Sequence, residues 1–480
     1  MSGYDILIVG AGVTGTSIAR ELSRYRLRIA VIEKEEEPAF GVSKSNSGII
    51  HPGTQNPARS LKGRLCVAGN RLTRVVCREL GVEFKETGEL IVAFNDQERD
   101  ELLRLKKEAE AARVPGIKIV DRAWLGKNEP NLNSEASFAL YAPTAGIISP
   151  YRLVYGLAEN AVKNGVELFT LAPAENIIYR RSEKYRFEVS TPEGVLRSSY
   201  LVNAAGLFAD EVSRMAGLES FKITPRKGEE FLLDKKREHI TNHLIFPIPS
   251  KISKGILVIK TADGNPMIGP TAEDVDEKTD LSTSAPGLEK VLSGARKMIP
   301  SISGDDIIAY FAGLRPVSGD DFIIRYEDSV PGLVNVAGIQ SPGLTSAPAI
   351  ALMVIGLLKG TGLRMKRKLF FHGHRRKTTH LFSMPPERAK RLIKKDASYG
   401  DIVCRCEMVS AKEVRDAVKR GAGTLDGIKF RTRAQSGRCH GGFCTTRLLR
   451  ILAEEKGRQL TGITKRGPGS EIVKKDRADD

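Results

Sequence analysis

An α/β chain is predicted, with a doubly wound nucleotide-type domain, a mostly antiparallel second domain and a small α-rich, cysteine-bearing domain at the C-terminus. Three observations carry this. The chain opens on an apolar run, residues 6–9, that passes at once into Gly10-x-Gly12-x-x-Gly15, a helical pattern and a second apolar run ending at Glu33. Strand-like runs with scattered proline and polar alternation fill residues 222–325. Four of the six cysteines crowd into the last fifth of the chain, as Cys404-x-Cys406 and Cys439-x4-Cys444. At 480 residues, 41% hydrophobic and 28% charged, the chain has room for roughly two to four domains with cores of their own.

The opening unit reads as a Rossmann-like strand, tight turn, helix and second strand. Gly10 allows the turn, Gly12 lets backbone N–H groups approach a pyrophosphate, and Gly15 lets the helix pack close to the strand. The positive end of the helix faces the phosphates. Glu33, 18 residues beyond Gly15, is placed to accept both ribose hydroxyls and disfavours a 2′-phosphate, so an adenosine-type nucleotide is expected rather than NADP. Residues 41–53, GVSKSNSGIIHPG, follow with small side chains that let a flat ring be covered closely. His51, the one imidazole there, reads equally as a base and as a packed structural histidine.

Helices are expected over residues 61–80 and 98–112, and a strand over 88–94. Cys66 and Cys77, within the first helix, read as buried small hydrophobes. A helix over 150–163 leads into strands over 166–171, 185–191 and 195–202. The last runs into Asn203-Ala204-Ala205-Gly206, a second close approach to the nucleotide, before a helix over 208–216. Residues 333–358 return to the nucleotide domain: a strand ending at Gly338, a turn at Gly343 and a helix from near Thr345, whose N-terminus suits an electron-rich ring. Its apolar stretch, 347–358, is too short to span a bilayer and reads as buried. Residues 421–427, GAGTLDG, mimic a glycine loop with the wrong spacing and no preceding strand, and a turn is expected.

Net charge is +17, and its placement matters more than its size. Residues 361–396 hold twelve Lys/Arg against Glu387 and Asp396. Such a segment suits an acidic partner, an anionic membrane face or nucleic acid, or is a solvated linker. No stacking aromatics or groove helix accompany the charge, so nucleic acid is not expected. The first strand begins too early for a signal peptide to precede it, and a cytoplasmic location is expected. Close cysteine pairs there point to a metal site rather than disulfides. Four thiolates hold zinc or iron, and C-x-C with C-x4-C departs from the C-x2-C knuckles usual for zinc.

The opening fingerprint with Glu33, then SNSGIIHPG, LVNAAG, PRKGEEFLLD, GLRPVSGDDFII and NVAGIQSPGLTSAPAIA, stand in one order across residues 4–358. Together they resemble the FAD-dependent oxidoreductases that include glycerol-3-phosphate dehydrogenase, L-2-hydroxyglutarate dehydrogenase and the D-amino-acid oxidase group. VCRCEMV followed by RTRAQSGRCHGGFC resembles the bacterioferritin-associated-ferredoxin-like domain that binds a 2Fe–2S cluster. The resemblance implies an FAD-binding domain over 1–85, 146–221 and 326–362, and a substrate domain over 86–145 and 222–325. It also implies a basic linker over 363–397, a 2Fe–2S domain over 398–462 and a charged tail over 463–480, whose Gly/Pro/charge-rich composition from residue 465 predicts disorder.

The same resemblance assigns roles. Gly10, Gly12, Gly15 and Glu33 would hold the ADP half of FAD, with Ala174, Ala205 and Gly206 on the adenine side. Ser45, Asn46 and Ser47 would line the flavin, and Gly338, Gly343, Leu344 and Thr345 would present backbone N–H groups to its pyrimidine edge. Arg315 would face a small anionic substrate, its planar fork suited to carboxylate or phosphate. His51 would take the hydroxyl proton as hydride passes to the flavin. Cys404, Cys406, Cys439 and Cys444 would ligate the cluster, which passes electrons singly to acceptor subunits; peripheral association with the inner face of a membrane, through such a partner, is left open. For substrate the resemblance inclines to sn-glycerol 3-phosphate, oxidised to dihydroxyacetone phosphate. An L-2-hydroxy acid is the alternative, because residues 341–344 lack the lysine usual in glycerol-3-phosphate enzymes and SLKGRLCVAGNRL resembles the hydroxyglutarate enzymes. Amino-acid or secondary-amine oxidation, and a non-catalytic electron-transfer subunit, are the further alternatives. Arg315 remote from the flavin would favour the last.

Overall fold

The computed structural model describes residues 3–250 and 254–474. Its first layer grows from the apolar strand Tyr4–Val9, which is flanked in parallel by Ile29–Ile32 on one side and Gly194–Asn203 on the other. Val166–Phe169 and Leu333–Ala337 extend the parallel set outward. A strand buried on both faces must be apolar throughout, and Ile6, Leu7 and Ile8 are each fully buried. Helices Val13–Leu22, Leu61–Leu80, Pro150–Lys163 and Gly343–Gly360 cover this sheet. Gly69 lets two of them meet closely, since a Cβ there would lie 2.1 Å from the Thr345 carbonyl.

The second layer is a nine-stranded sheet. Its long hairpin-like pair, Thr224–Leu233 against Ile307–Val317, sets Arg226 opposite Arg315. Residues 86–145 contribute strands Glu89–Ala93, Lys118–Asp121 and Phe138–Ala142 to the same sheet. One pair departs from the antiparallel rule: Leu244–Pro247 runs parallel to Glu89–Ala93. Strand Ile323–Tyr326, expected on the substrate side of a boundary at 325, pairs instead with Leu333–Ala337 in the first sheet.

The helix expected near Thr345 begins earlier, at Gly343, and runs to Gly360. At 18 residues it is long and apolar enough to cross a membrane by length and composition. Eleven of its residues are buried against the sheet and its neighbouring helices, so it is a core helix, though longer than the stretch read from sequence.

The C-terminal unit is a compact helical domain with its own core of Val414, Leu425, Ile428, Leu448 and Leu452. Residues 421–427 are not a free turn. Thr424 caps helix Leu425–Thr432, its hydroxyl accepting the Gly427 N–H at 2.9 Å, and a cap residue overrides the glycines around it. Helix Leu425–Thr432 lies against Pro150–Lys163. Arg431 pairs with Glu37 at 2.5 Å and covers the Tyr155 ring at 3.7 Å. Arg433 reaches the second sheet through Asn265 at 2.9 Å and Asp263 at 3.6 Å. The unit is thus wedged between both layers.

Two expectations of looseness are corrected. The basic linker is pinned, through Lys368 to the Asn164 carbonyl at 2.5 Å and Arg375 to Glu159 at 2.6 Å, and it contains helix Pro386–Lys395. The tail to residue 474 is ordered by buried Ile463 and the Thr464–Glu471 bridge. Residues 475–480 lie outside the described residues.

Candidate active site and cysteine centre

A cavity of ≈ 710 Å³ opens at the ends of the parallel strands and reaches the antiparallel sheet. Gly10, at φ +103°, and Gly12 form its first edge. A Cβ on Gly15 would lie 1.9 Å from the Gly10 carbonyl, so Gly15 acts behind the wall by letting the helix close on the turn. Helix Val13–Leu22 has no side-chain cap of its own at Gly12, and its Val13 N–H donates to Ser43 Oγ at 2.9 Å. Glu33 lines the cavity, its two oxygens accepting the Ala11 N–H at 2.7 Å and the Glu35 N–H at 3.1 Å. Burial raises its pKa. Ala174, Ala205 and Gly206 complete this end. A Cβ-free turn, a helix N-terminus and a buried carboxylate beside small residues fit the ADP half of FAD.

At the other end Ser45, Asn46 and Ser47 form one wall. Asn46 fixes the loop, donating to the Ser43 carbonyl at 2.8 Å and accepting the Gly48 N–H at 2.9 Å. Gly343 and Leu344, in the first turn of a helix without a side-chain cap, form the facing wall. Thr345 and Gly338 do not line the cavity as expected. The Thr345 hydroxyl accepts the His51 N–H at 2.9 Å, and Gly338 sits near Ser318.

His51 is buried in the cavity wall, with Nδ1 3.9 Å from Glu89 Oε2 and Nε2 3.4 Å from Ser341 Oγ. Burial, with the nearby Lys254 charge, pushes its pKa down to about 4. It is therefore a neutral imidazole at pH 7, which resolves the choice between base and inert packing only in charge: it can accept a proton. Arg315 lines the same cavity, its guanidinium held by the Thr271 carbonyl at 2.6 Å and the Lys227 carbonyl at 3.3 Å.

Three residues escaped the sequence reading. Lys254 lines the cavity half-buried, and its Nζ is shielded from solvent with no hydrogen-bond partner among the described residues. Burial lowers its pKa. Glu230, beside Arg315, accepts from Ser47 Oγ at 3.3 Å, and burial raises its pKa to about 7. Glu89, fully buried, accepts from the Thr54 hydroxyl and faces His51. Lys254 stands in an irregular loop without periodicity, and nothing in its neighbours marks it. The lysine missing from residues 341–344 was the one signal that a cation must come from elsewhere.

The cysteines form two pairs. The Cys406 and Cys439 sulfurs lie 3.5 Å apart, close to the separation of two thiolates sharing one tetrahedral metal at about 2.3 Å. Cys404 and Cys444, both buried and both free thiols, are hydrogen-bonded to each other. Backbone N–H groups of Gln435, Glu407 and Cys406 point at Cys404, and those of Gly441 and Phe443 at Cys439. Two sulfur pairs with N–H donors fit a two-iron cluster. Cys66 and Cys77 are buried, far up in pKa through burial, and serve packing.

The FAD dependent oxidoreductase family matches residues 5–357, and the BFD-like [2Fe-2S] binding domain matches residues 402–454. A glycerol 3-phosphate dehydrogenase of Caloramator mitchellensis is 41% identical over 473 residues, 98% of each chain. An L-2-hydroxyglutarate dehydrogenase of Escherichia coli (strain K12) is 28% identical over 73% of this chain and 92% of its own. Among solved structures, dithionite-reduced L-alpha-glycerophosphate oxidase from Mycoplasma pneumoniae with FAD bound gives a TM-score of 0.74 at 30% identity, covering 78% of this chain and 98% of that one. The chain therefore belongs to the FAD-dependent oxidoreductases, with FAD as its cofactor and a 2Fe–2S-binding domain at its C-terminus.

Proposed function

We propose that this enzyme oxidises sn-glycerol 3-phosphate to dihydroxyacetone phosphate in the cytoplasm and delivers the electrons through the cluster to an acceptor subunit. The observation that carries the reading is the convergence of Lys254, Arg315 and neutral His51 on one end of the nucleotide cavity. Two half-buried basic side chains lining one cavity suit a dianionic phosphate. His51 Nε2 takes the proton of the secondary hydroxyl, and Glu89 favours the tautomer that keeps a proton on Nδ1. FAD supplies the hydride acceptor, and the cluster a one-electron outlet. Arg315 lies in the cavity wall, which disfavours a non-catalytic subunit. The 41% relative spans the cysteine domain as well, whereas the hydroxyglutarate relative covers 73% of this chain, and this also supports the phosphate.

The test is anaerobic titration of the purified flavoprotein with glycerol 3-phosphate, L-2-hydroxyglutarate, L-proline and sarcosine. Bleaching of the flavin band by glycerol 3-phosphate alone is expected. Bleaching by L-2-hydroxyglutarate with none by glycerol 3-phosphate would replace this reading with the 2-hydroxy-acid one.

A further inference from the structure

The basic segment carries two large apolar side chains in water: Leu369 is 82% exposed and Phe370 85%. They are not on a loose loop. On one side the Lys368 N–H donates to the Arg24 carbonyl at 2.9 Å and Lys368 Nζ to the Asn164 carbonyl at 2.5 Å. On the other, the His372 N–H donates to Asn164 Oδ1 at 2.9 Å, and the Phe371 ring lies under the Arg24 guanidinium at 4.2 Å. Leu369 and Phe370 are therefore held outward by anchors at both ends.

Around this tip stand Arg26, Lys366 and Arg367, with Arg376 and Lys377 a few residues further along the chain, all exposed and none in an ion pair among the described residues. Arg26 belongs to the group through its N–H, which donates to the Lys366 carbonyl at 2.8 Å. The acids nearby are already engaged: Glu21 and Glu79 with Arg20, and Glu159 with Arg375.

We infer that this tip is a docking surface for an anionic lipid bilayer, with Leu369 and Phe370 entering the headgroup–acyl boundary and the surrounding cations lying against lipid phosphates. A specific protein interface needs roughly 1,000 Å² of matched surface, and two side chains on a tip offer far less. A bilayer accepts an isolated apolar tip by insertion and needs no matched geometry for the charges. The inference does not depend on which substrate the cavity takes.

Full-length holoprotein is sedimented with vesicles of phosphatidylcholine alone, or of phosphatidylcholine with phosphatidylglycerol. Wild type is expected in the pellet with phosphatidylglycerol vesicles only, and to be released as salt rises. The double variant L369S/F370S should bind at least about tenfold more weakly, with unchanged melting temperature and unchanged bleaching by substrate, since neither side chain is buried. In F370W the new indole should shift to the blue on vesicle addition. Wild type remaining in the supernatant at low salt overturns the inference and leaves an acidic protein as occupant. Equal binding by L369S/F370S overturns insertion. A fall in sedimentation mass of L369S/F370S without vesicles would show a second copy covering the tip, and overturns it as well.

Discussion

Burial sets the chemistry of His51, the base of the proposed reaction. Because the folded pKa of His51 is about 4 against an ordinary 6.5, the folded chain binds fewer protons than the unfolded chain between those values. Its contribution to stability is complete above pH 6.5 and is lost as pH falls toward 4. The acid limb of kcat/KM due to this base should accordingly sit well below 6.5, and H51N should remove it. That variant should also lose about 10²–10⁴-fold in kcat while retaining FAD. An unchanged rate in H51N would return His51 to a packing role. In the proposed reading Lys254 and Arg315 bind the anion, so K254A or R315A should each leave the bound phosphate short of one cation, a cost of roughly 2–5 kcal/mol, read as about two or more orders of magnitude in kcat/KM. The flavin spectrum should stay as in wild type. Near-normal kcat/KM in both would remove the phosphate from this end of the cavity.

At the scale of elements, the nucleotide turn is the feature most legible in sequence, because each glycine answers one contact. G15A would put a methyl 1.9 Å from the Gly10 carbonyl, and backbone cannot yield as a flexible side chain can. Loss of FAD retention, or of soluble protein, is expected on measuring the flavin-to-protein absorbance ratio. E33A should also retain less FAD with the fold intact, as judged by circular dichroism, and full occupancy would count against its ribose role. Local periodicity also gave the helices over 61–80 and 150–163. It failed where long-range contacts decide. Lys254 is brought to the cavity by a loop with no pattern, Glu89 meets His51 across two layers, and the start of helix Gly343–Gly360 precedes Thr345 because the turn is set by the Gly343 N–H on the Gln340 carbonyl at 2.6 Å. The basic linker misled for the same reason: its anchors, Asn164 and Glu159, lie some 200 residues earlier in the chain.

At the scale of the whole molecule, the cysteine domain is seated against both layers through Arg431 and Arg433. Removing one partner of the buried Arg431–Glu37 pair should cost about 3–5 kcal/mol. R431A should therefore lower the melting temperature and loosen the domain to proteolysis near residue 421. An unchanged protease pattern would mean that the seat rests on other contacts. The spacing of the cysteines announced a metal centre but not its two-pair arrangement, which depends on Gly437 allowing Cys406 close: a Cβ there would lie 2.3 Å from that of Cys406.

The central claim, that glycerol 3-phosphate is oxidised in the nucleotide cavity and its electrons leave through the four cysteines, is tested by one anaerobic reaction followed at the flavin band and by electron paramagnetic resonance. Wild type mixed with sn-glycerol 3-phosphate should bleach and develop a reduced 2Fe–2S signal, whereas C439S should bleach without that signal and fail to reduce its acceptor. A flavin that does not bleach with glycerol 3-phosphate, or a wild-type protein that bleaches yet holds no iron, would contradict it.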